Sequence, residues 1–125
     1  MVDFNNTPIF KLSRVSNDSI EDKISSLLID GETIISAYKA VRDFVSFTNK
    51  RVISVNVQGI TGKKKDYTSM PYAKISVFSV ETAGTFDLDS ELEMYFSGVG
   101  KVKFEFTGSS DIVEISRLIA GYCLK

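Results

Sequence analysis

Apolar and polar residues alternate with a period of two through most of the chain between residues 32 and 107. A period of two is typical of strands that bury one face and expose the other. The pattern predicts about seven strands, at 32–41, 44–48, 51–58, 66–70, 72–81, 91–96 and 101–107. Because the connections are mostly short, we expect neighbouring strands to be antiparallel.

Two segments change to a helical period. In the first, Asn17 or Asp18 can cap a helix, with Glu21 completing a capping box after Asp18 and Gly31 ending the helix. Its apolar stripe is Ile20, Ile24, Leu27 and Leu28. The second helix begins after Asp111, and its apolar stripe is Ile112, Ile115, Leu118, Ile119 and Tyr122. The sequence therefore predicts one helix before the strands and one after them.

Strands that run consecutively and end in a helix favour a mainly β, α+β fold over an alternating α/β fold. The amphipathic C-terminal helix suits a curved sheet or barrel, where it would close one open end. At 125 residues the chain fits a single domain. We divide it into an N-terminal arm and helix at 1–30 and a β-rich body at 31–125.

Composition and charge reduce the number of function classes to which the protein can belong. The chain has 15 basic and 16 acidic residues, a net charge of -1, which argues against a nucleic-acid binder. Its single cysteine, Cys123, excludes an internal disulfide. No run approaches ~18 apolar residues and no basic start precedes an apolar stretch, so we expect a cytoplasmic protein.

Catalytic motifs are missing from the sequence. There is no histidine, which excludes Ser-His and Cys-His catalysis and most zinc sites. The Gly59–Lys64 segment contains glycine and lysine, but its spacing is not that of a Walker phosphate loop. We therefore predict no enzymatic activity, no catalytic residues, no metal and no cofactor.

An acidic turn follows the strand at 72–81. Asp87, Asp89 and Glu91 alternate, so in an extended segment their carboxylates share one side. Such oxygen ligands could hold a cation, but Leu92 and Gly98 stand where an EF-hand loop needs Gly and Glu. A pair of them could also act in acid–base chemistry. The simpler interpretations are a solvated turn or a subunit contact.

Several motifs, taken in order, resemble one family. They are Phe47-Thr48-Asn49-Lys50-Arg51-Val52-Ile53, Gly62-Lys63-Lys64-Lys65, Pro71-Tyr72, Phe78-Ser79-Val80-Glu81-Thr82-Ala83-Gly84 and Asp87-Leu88-Asp89-Ser90-Glu91-Leu92. Over residues 31–124 the chain is similar to the bacterial pleckstrin-homology-like (PH-like) domains, long catalogued as a domain of unknown function. The resemblance implies a PH-like barrel of two roughly orthogonal antiparallel sheets capped by a C-terminal helix. It also implies homo-oligomers, often rings, without catalysis.

Basic residues supply the candidate binding site, formed by Lys50, Arg51, Lys63, Lys64 and Lys65. The first hairpin, Val41-Arg42-Asp43, lacks the basic cluster with which eukaryotic PH domains bind inositol phosphates, so that activity does not carry over. The run at 63–65 could be a solvated loop, a phospholipid contact, or a partner for the acidic turn of a neighbouring copy. We expect a module for homo-oligomerisation and protein binding, with peripheral binding to anionic membranes as the alternative.

Overall fold

The computed structural model describes residues 1–5, 9–86, 88–108 and 110–124, with residues 9 and 10 described by their backbone alone. The strands are β1 (Ile9–Val15), β2 (Ile34–Lys39), β3 (Phe44–Thr48), β4 (Arg51–Gln58), β5 (Lys64–Pro71), β6 (Ile75–Glu81), β7 (Ser90–Phe96) and β8 (Gly100–Phe106). The α-helices are α1 (Asn17–Ile24) and α2 (Ile112–Cys123), and 3-10 turns occupy Ser25–Leu27 and Tyr72–Lys74.

The strands form one sheet in the order β5-β4-β3-β2-β1-β8-β7-β6. All pairs are antiparallel except β1 with β8, which is parallel. The sheet folds over so that β2 to β5 and β6 to β8 share one core, and α2 packs against that core. The predicted mainly β, PH-like fold with a helix near each end is confirmed. The described residues form eight strands instead of about seven, and these lie in one sheet that does not close into a barrel, because β5 and β6 remain unpaired edges.

Strand β1 is the element that the alternation pattern missed. It lies at the centre of the sheet, where it joins β2 to β8. Its register shifts between Ile9 and Leu12, and Lys11 adopts a positive φ of 54°. Because such an irregularity interrupts the period of two, the segment shows no clean alternation in the sequence.

The core is rich in aromatic side chains. Tyr38, Phe47, Phe104 and Phe106 are almost completely buried, and Tyr38 makes edge-to-face contacts with Phe47 and Phe106. Helix α2 closes this core with three buried isoleucines, Ile112, Ile115 and Ile119. Burial of these large apolar surfaces is the main stabilising contribution to the fold.

The predicted N-terminal cap is confirmed for α2 and is wrong for α1. For α2 the prediction is confirmed, because the Asp111 carboxylate accepts hydrogen bonds from the N–H groups of Val113 and Glu114 at 3.1 Å. For α1 it is wrong by a residue, because the cap is Ser16, whose hydroxyl accepts from the Ser19 N–H at 3.3 Å. Helix α1 also ends at Ile24, before Gly31, and the 3-10 turn Ser25–Leu27 follows it. Within the described residues, neither helix has the length and apolar character needed to cross a membrane.

Candidate functional site

The predicted basic residues separate into two groups. Lys50 and Arg51 stand where β4 begins, whereas Lys63 to Lys65 stand where β5 begins. In the β4–β5 hairpin Arg51 lies opposite Pro71, and Gln58 lies opposite Lys64. Seven residues at about 3.4 Å each place the two groups roughly 24 Å apart along the hairpin. They are therefore too far apart for one small ligand to contact both.

Arg51 is held inside the protein by an ion pair. Its Nε and Nη2 atoms donate to the two carboxylate oxygens of Glu32, each at 2.9 Å. Nη2 also donates to the carbonyl oxygen of Leu27 at 2.7 Å, and Nη1 donates to Ser69 Oγ at 2.8 Å. All three guanidinium nitrogens therefore have partners, and this bidentate geometry is the strong form of such a pair.

Glu32 is the buried member of the pair, with none of its side chain exposed. Burial alone would raise the pKa of this carboxyl, but hydrogen bonds from Arg51, Thr48 and the N–H of Ile29 outweigh it and lower the pKa. The carboxylate therefore stays ionised and fully paired. We call Glu32, Arg51 and Thr48 the clamp, since together they tie residues 27–32 to the start of β4.

The family motif at 47–53 contains two residues of the clamp, and its other residues make further hydrogen bonds beside them. Asn49 accepts a hydrogen bond from the Thr33 N–H and donates one to the Gly31 carbonyl, both at 2.9 Å. The hydroxyl of Tyr72 donates to the carbonyl of Thr48 at 2.7 Å. The turn after β3 is thus a docking point for residues 31–33 and for the turn before β6, while the Lys50 side chain is exposed.

The second basic group lies where two loops meet. The β2–β3 loop (40–43) and the β4–β5 loop (59–63) are joined by a hydrogen bond from Arg42 Nη2 to the Gly59 carbonyl. Asp43 accepts hydrogen bonds from the Val57 N–H at 2.9 Å and from Asn56 Nδ2 at 3.0 Å. These contacts hold the loops side by side. We call residues 39–43 and 59–65 the loop end.

The loop end combines apolar tips with cations. Val41 is 93% exposed and Ile60 is fully exposed. The exposed cations of the loop end are Lys39, Arg42, Lys63, Lys64 and Lys65. Inspection of the sequence identified the lysine run but missed the two aliphatic tips. Their exposure could have been suspected from their position in turns, but their proximity depends on the pairing of strands.

The acidic turn is only partly described. Asp87 lies outside the described residues, and Asp89 is half-buried. Glu91 pairs with Lys103 Nζ at 3.0 Å across β7 and β8, and this hydrogen bond raises the pKa of Lys103. Over the residues that the structure describes, no group of three potential ligands is placed to hold a metal ion.

Strands β5 and β6 form the two edges of the sheet and carry opposite charge. Lys65, Tyr67 and Ser69 are exposed on β5, where Thr68 and Met70 point inward. Val77, Ser79 and Glu81 are exposed on β6, where Phe78 and Val80 pack against the core. The start of β5 is therefore basic and the end of β6 acidic.

Comparisons with known proteins agree with this architecture. The sequence model of a family described as the bacterial PH domain matches residues 3–123, which includes residues left outside the resemblance above. The chain is 44% identical over 114 residues to the uncharacterized protein YjqA of Bacillus subtilis (strain 168), covering 90% of this chain and 91% of the relative.

Among the solved structures that resemble this chain are two PH-domain proteins from Shewanella species. A DUF1696 family protein with a pleckstrin-homology domain from Shewanella loihica PV-4 superposes with a TM-score of 0.80 at 40% identity, covering 91% of this chain and 98% of that one. A pleckstrin homology domain from Shewanella amazonensis SB2B gives a TM-score of 0.69 at 44% identity, with coverages of 90% and 92%.

Proposed function

The chain belongs to the bacterial PH domain family, and on this premise we propose that it is a non-catalytic module that associates with copies of itself and binds other proteins. The observation that carries the proposal is the opposite charge of the two edge strands, β5 and β6. An edge strand presents backbone donors and acceptors that a strand of another chain can use.

Charge and side-chain direction select one pairing of these edges. If β5 of one copy pairs antiparallel with β6 of the next, Lys65 lies opposite Glu81. In the same register Tyr67 faces Ser79, and Ser69 faces Val77, so exposed residues meet exposed residues. A parallel arrangement would instead place the basic start of β5 against the apolar start of β6.

This pairing joins one surface of a copy to a different surface of its neighbour. Such a heterologous contact repeats from copy to copy and closes into a ring where the rotation permits. A cross-strand pair of opposite charges contributes roughly 0.2–1 kcal/mol, so backbone hydrogen bonds supply most of the affinity and the charges supply the register.

Light scattering after size exclusion tests the pairing. We expect a mass above that of a single chain for the wild type, and a lower mass for Lys65→Glu and for Glu81→Lys, because each places like charges opposite one another. The double variant restores a pair of opposite charges and should recover the mass. Lys50→Glu, at the other end of the hairpin, is the matched control and should leave it unchanged.

Two outcomes would contradict the proposal. A wild type that has the mass of one chain over the micromolar range would exclude self-association under those conditions. Single reversals that assemble as the wild type does would exclude this register, even if copies associate elsewhere.

A second candidate function is contact with an anionic membrane surface, supported by the loop end. Its two exposed aliphatic tips, Val41 and Ile60, stand among cationic side chains. Each Lys or Arg near an anionic surface contributes about 1 kcal/mol, and apolar tips add affinity by entering the interface.

Co-sedimentation with vesicles separates the two candidates. If the loop end binds membranes, the protein should pellet with phosphatidylcholine vesicles only when they contain phosphatidylglycerol, and less as salt is raised. Val41→Ser with Ile60→Ser should weaken pelleting without changing the assembly mass. Equal behaviour with neutral and anionic vesicles would exclude the candidate.

A further inference from the structure

A cavity of about 440 Å³ lies between the end of β5, the 3-10 turn Tyr72–Lys74 and the turn that joins β7 to β8. It lies away from the loop end, and it adjoins the clamp through Ser69, to which Arg51 donates a hydrogen bond. Its volume falls within the range of small-molecule sites, which are mostly apolar with a few placed polar groups.

The N-terminal segment, residues 1–5, builds one wall of this cavity through Phe4. The Phe4 carbonyl accepts a hydrogen bond from the Lys101 N–H at 2.9 Å, and its ring contacts Phe96 edge to face at 5.9 Å between centroids. Val2 donates its N–H to Thr68 Oγ1 at 3.0 Å. A Cβ at Gly100 would collide with the Phe4 carbonyl, so this position requires glycine. The wall is thus held by contacts on both sides.

Further apolar lining comes from two core residues, Met70 and Phe96, and from Val99 in the turn between β7 and β8. Met70 and Phe96 belong to the core cluster and are almost completely buried. Val99, in that turn, is 57% exposed. An alkyl or aryl group could therefore lie against an apolar surface that is continuous with the protein interior.

The polar side chains that line the cavity are those of Ser69, Ser97 and Lys74, and each can donate a hydrogen bond. Ser69 Oγ accepts from Arg51 Nη1 at 2.8 Å, which leaves its own O–H available to donate. Lys74, an exposed residue of the 3-10 turn, also lines the cavity. Among the described residues, no acidic side chain lines this cavity or forms an ion pair with Lys74.

We propose that this cavity binds a small amphipathic carboxylate. The apolar body lies against Met70 and Phe96, and the carboxylate faces the Lys74 ammonium and the Ser69 hydroxyl. An apolar wall beside a single cation favours a ligand with one anionic end over a polyanion such as a nucleotide. Neither Lys65 nor Glu81 lines this site, whereas Ser69 lines it and also faces Val77 of the next copy in the proposed pairing.

An NMR titration of the full chain labelled with nitrogen-15 tests the site. With octanoate as the probe, we expect saturable shifts of the amide signals of residues 69, 70, 72–74 and 96–99. Octanol, which lacks the charge, should bind about tenfold more weakly, since a charged hydrogen bond is lost. Acetate, which lacks the alkyl body, should give no saturable shift.

Two variants separate the ammonium from the apolar wall. Lys74→Met keeps the long side chain and should reduce octanoate binding to the level of octanol. Val99→Glu places a negative charge at the mouth and should weaken octanoate more than octanol. Lys39→Met, which removes an exposed lysine from β2, is the matched control and should bind as the wild type does.

Three results would overturn the proposal, and each spectrum also reports whether the variant is folded. The first is a linear, unsaturated response to octanoate. The second is a saturable response centred on the loop end, 39–43 and 59–65. The third is a folded Lys74→Met variant that binds octanoate with wild-type affinity.

Discussion

The two ends of the β4–β5 hairpin both carry basic residues, but one end is bonded within the protein and the other is exposed to solvent. At one end, Arg51 is bound on three sides by Glu32, Leu27 and Ser69. At the other end, the lysines at 63–65 extend into solvent beside Ile60. Local sequence does not distinguish these groups, since both are basic residues at the start of a strand.

The difference between the ends lies in a carboxylate remote in sequence. Glu32 reaches Arg51 across 19 positions of the chain and is completely buried there. A buried ion pair contributes to stability only while both partners remain, because either one alone is an uncompensated charge. We therefore expect substitutions at the clamp to lower the stability of the fold and substitutions at the loop end to leave it almost unchanged.

The largest effect is expected from Arg51→Ala. This change leaves Glu32 buried without its cation, which should lower the free energy of unfolding by roughly 3–5 kcal/mol. Urea denaturation measures the loss, and Lys50→Ala, one residue away and exposed, should stay within about 0.5 kcal/mol of the wild type. Similar losses for both variants would show that the clamp has no special role.

The second largest effect on stability is expected at acidic pH, which should weaken the clamp. The pKa of Glu32 is lowered in the folded state, so its contribution is fully present above the unfolded pKa, about 4.3, and is lost as pH falls through the lower folded pKa. The difference in unfolding free energy between the wild type and Glu32→Gln should therefore shrink below about pH 4. A difference that stays constant from neutral to strongly acidic pH would contradict this assignment.

A smaller loss is expected from Tyr72→Phe. The buried hydroxyl donates to the Thr48 carbonyl at 2.7 Å, and a hydrogen bond of this kind contributes about 1 kcal/mol. Thermal and urea denaturation should both report the change. Tyr67→Phe removes an exposed hydroxyl from β5 and should change stability by less than half as much.

The smallest effect on stability is expected at the loop end. Replacing Lys63, Lys64 and Lys65 together with serine should change the free energy of unfolding by less than about 1 kcal/mol, because exposed residues make few internal contacts. The same urea titration checks this. A loss as large as that of Arg51→Ala would mean that the lysines, like Arg51, stabilise the fold from within.

Much of the fold could be predicted from the sequence because burial in this protein is locally periodic. Strands β7 and β8 bury every second residue, from Ser90 to Phe96 and from Val102 to Phe106. Helix α2 likewise shows its apolar stripe and its Asp111 cap within a dozen residues. Such patterns need no knowledge of partners, since each strand or helix face repeats its own period.

The candidate sites were less predictable. The sequence indicates Lys63, Lys64 and Lys65 of the loop end, because a basic run is visible in any sequence, but it does not indicate Lys39. Val41 is predicted as the last residue of a strand at 32–41, whereas β2 ends at Lys39 and leaves Val41 in the turn. Ile60 follows Gly59 in a loop without a periodic pattern. The charge on Arg51 indicated binding, yet the residue that binds it is Glu32 of the same chain.

The sequence by itself thus determined the strands from β2 onward, the C-terminal helix and the family, because these depend on side-chain period and on motifs read in order. Only the tertiary structure decided that β1 enters the centre of the sheet, that β5 and β6 become its edges, and that Glu32 neutralises Arg51. The physical reason is that pairing and burial join residues remote in sequence, and a basic side chain takes its role from the partner that folding brings to it.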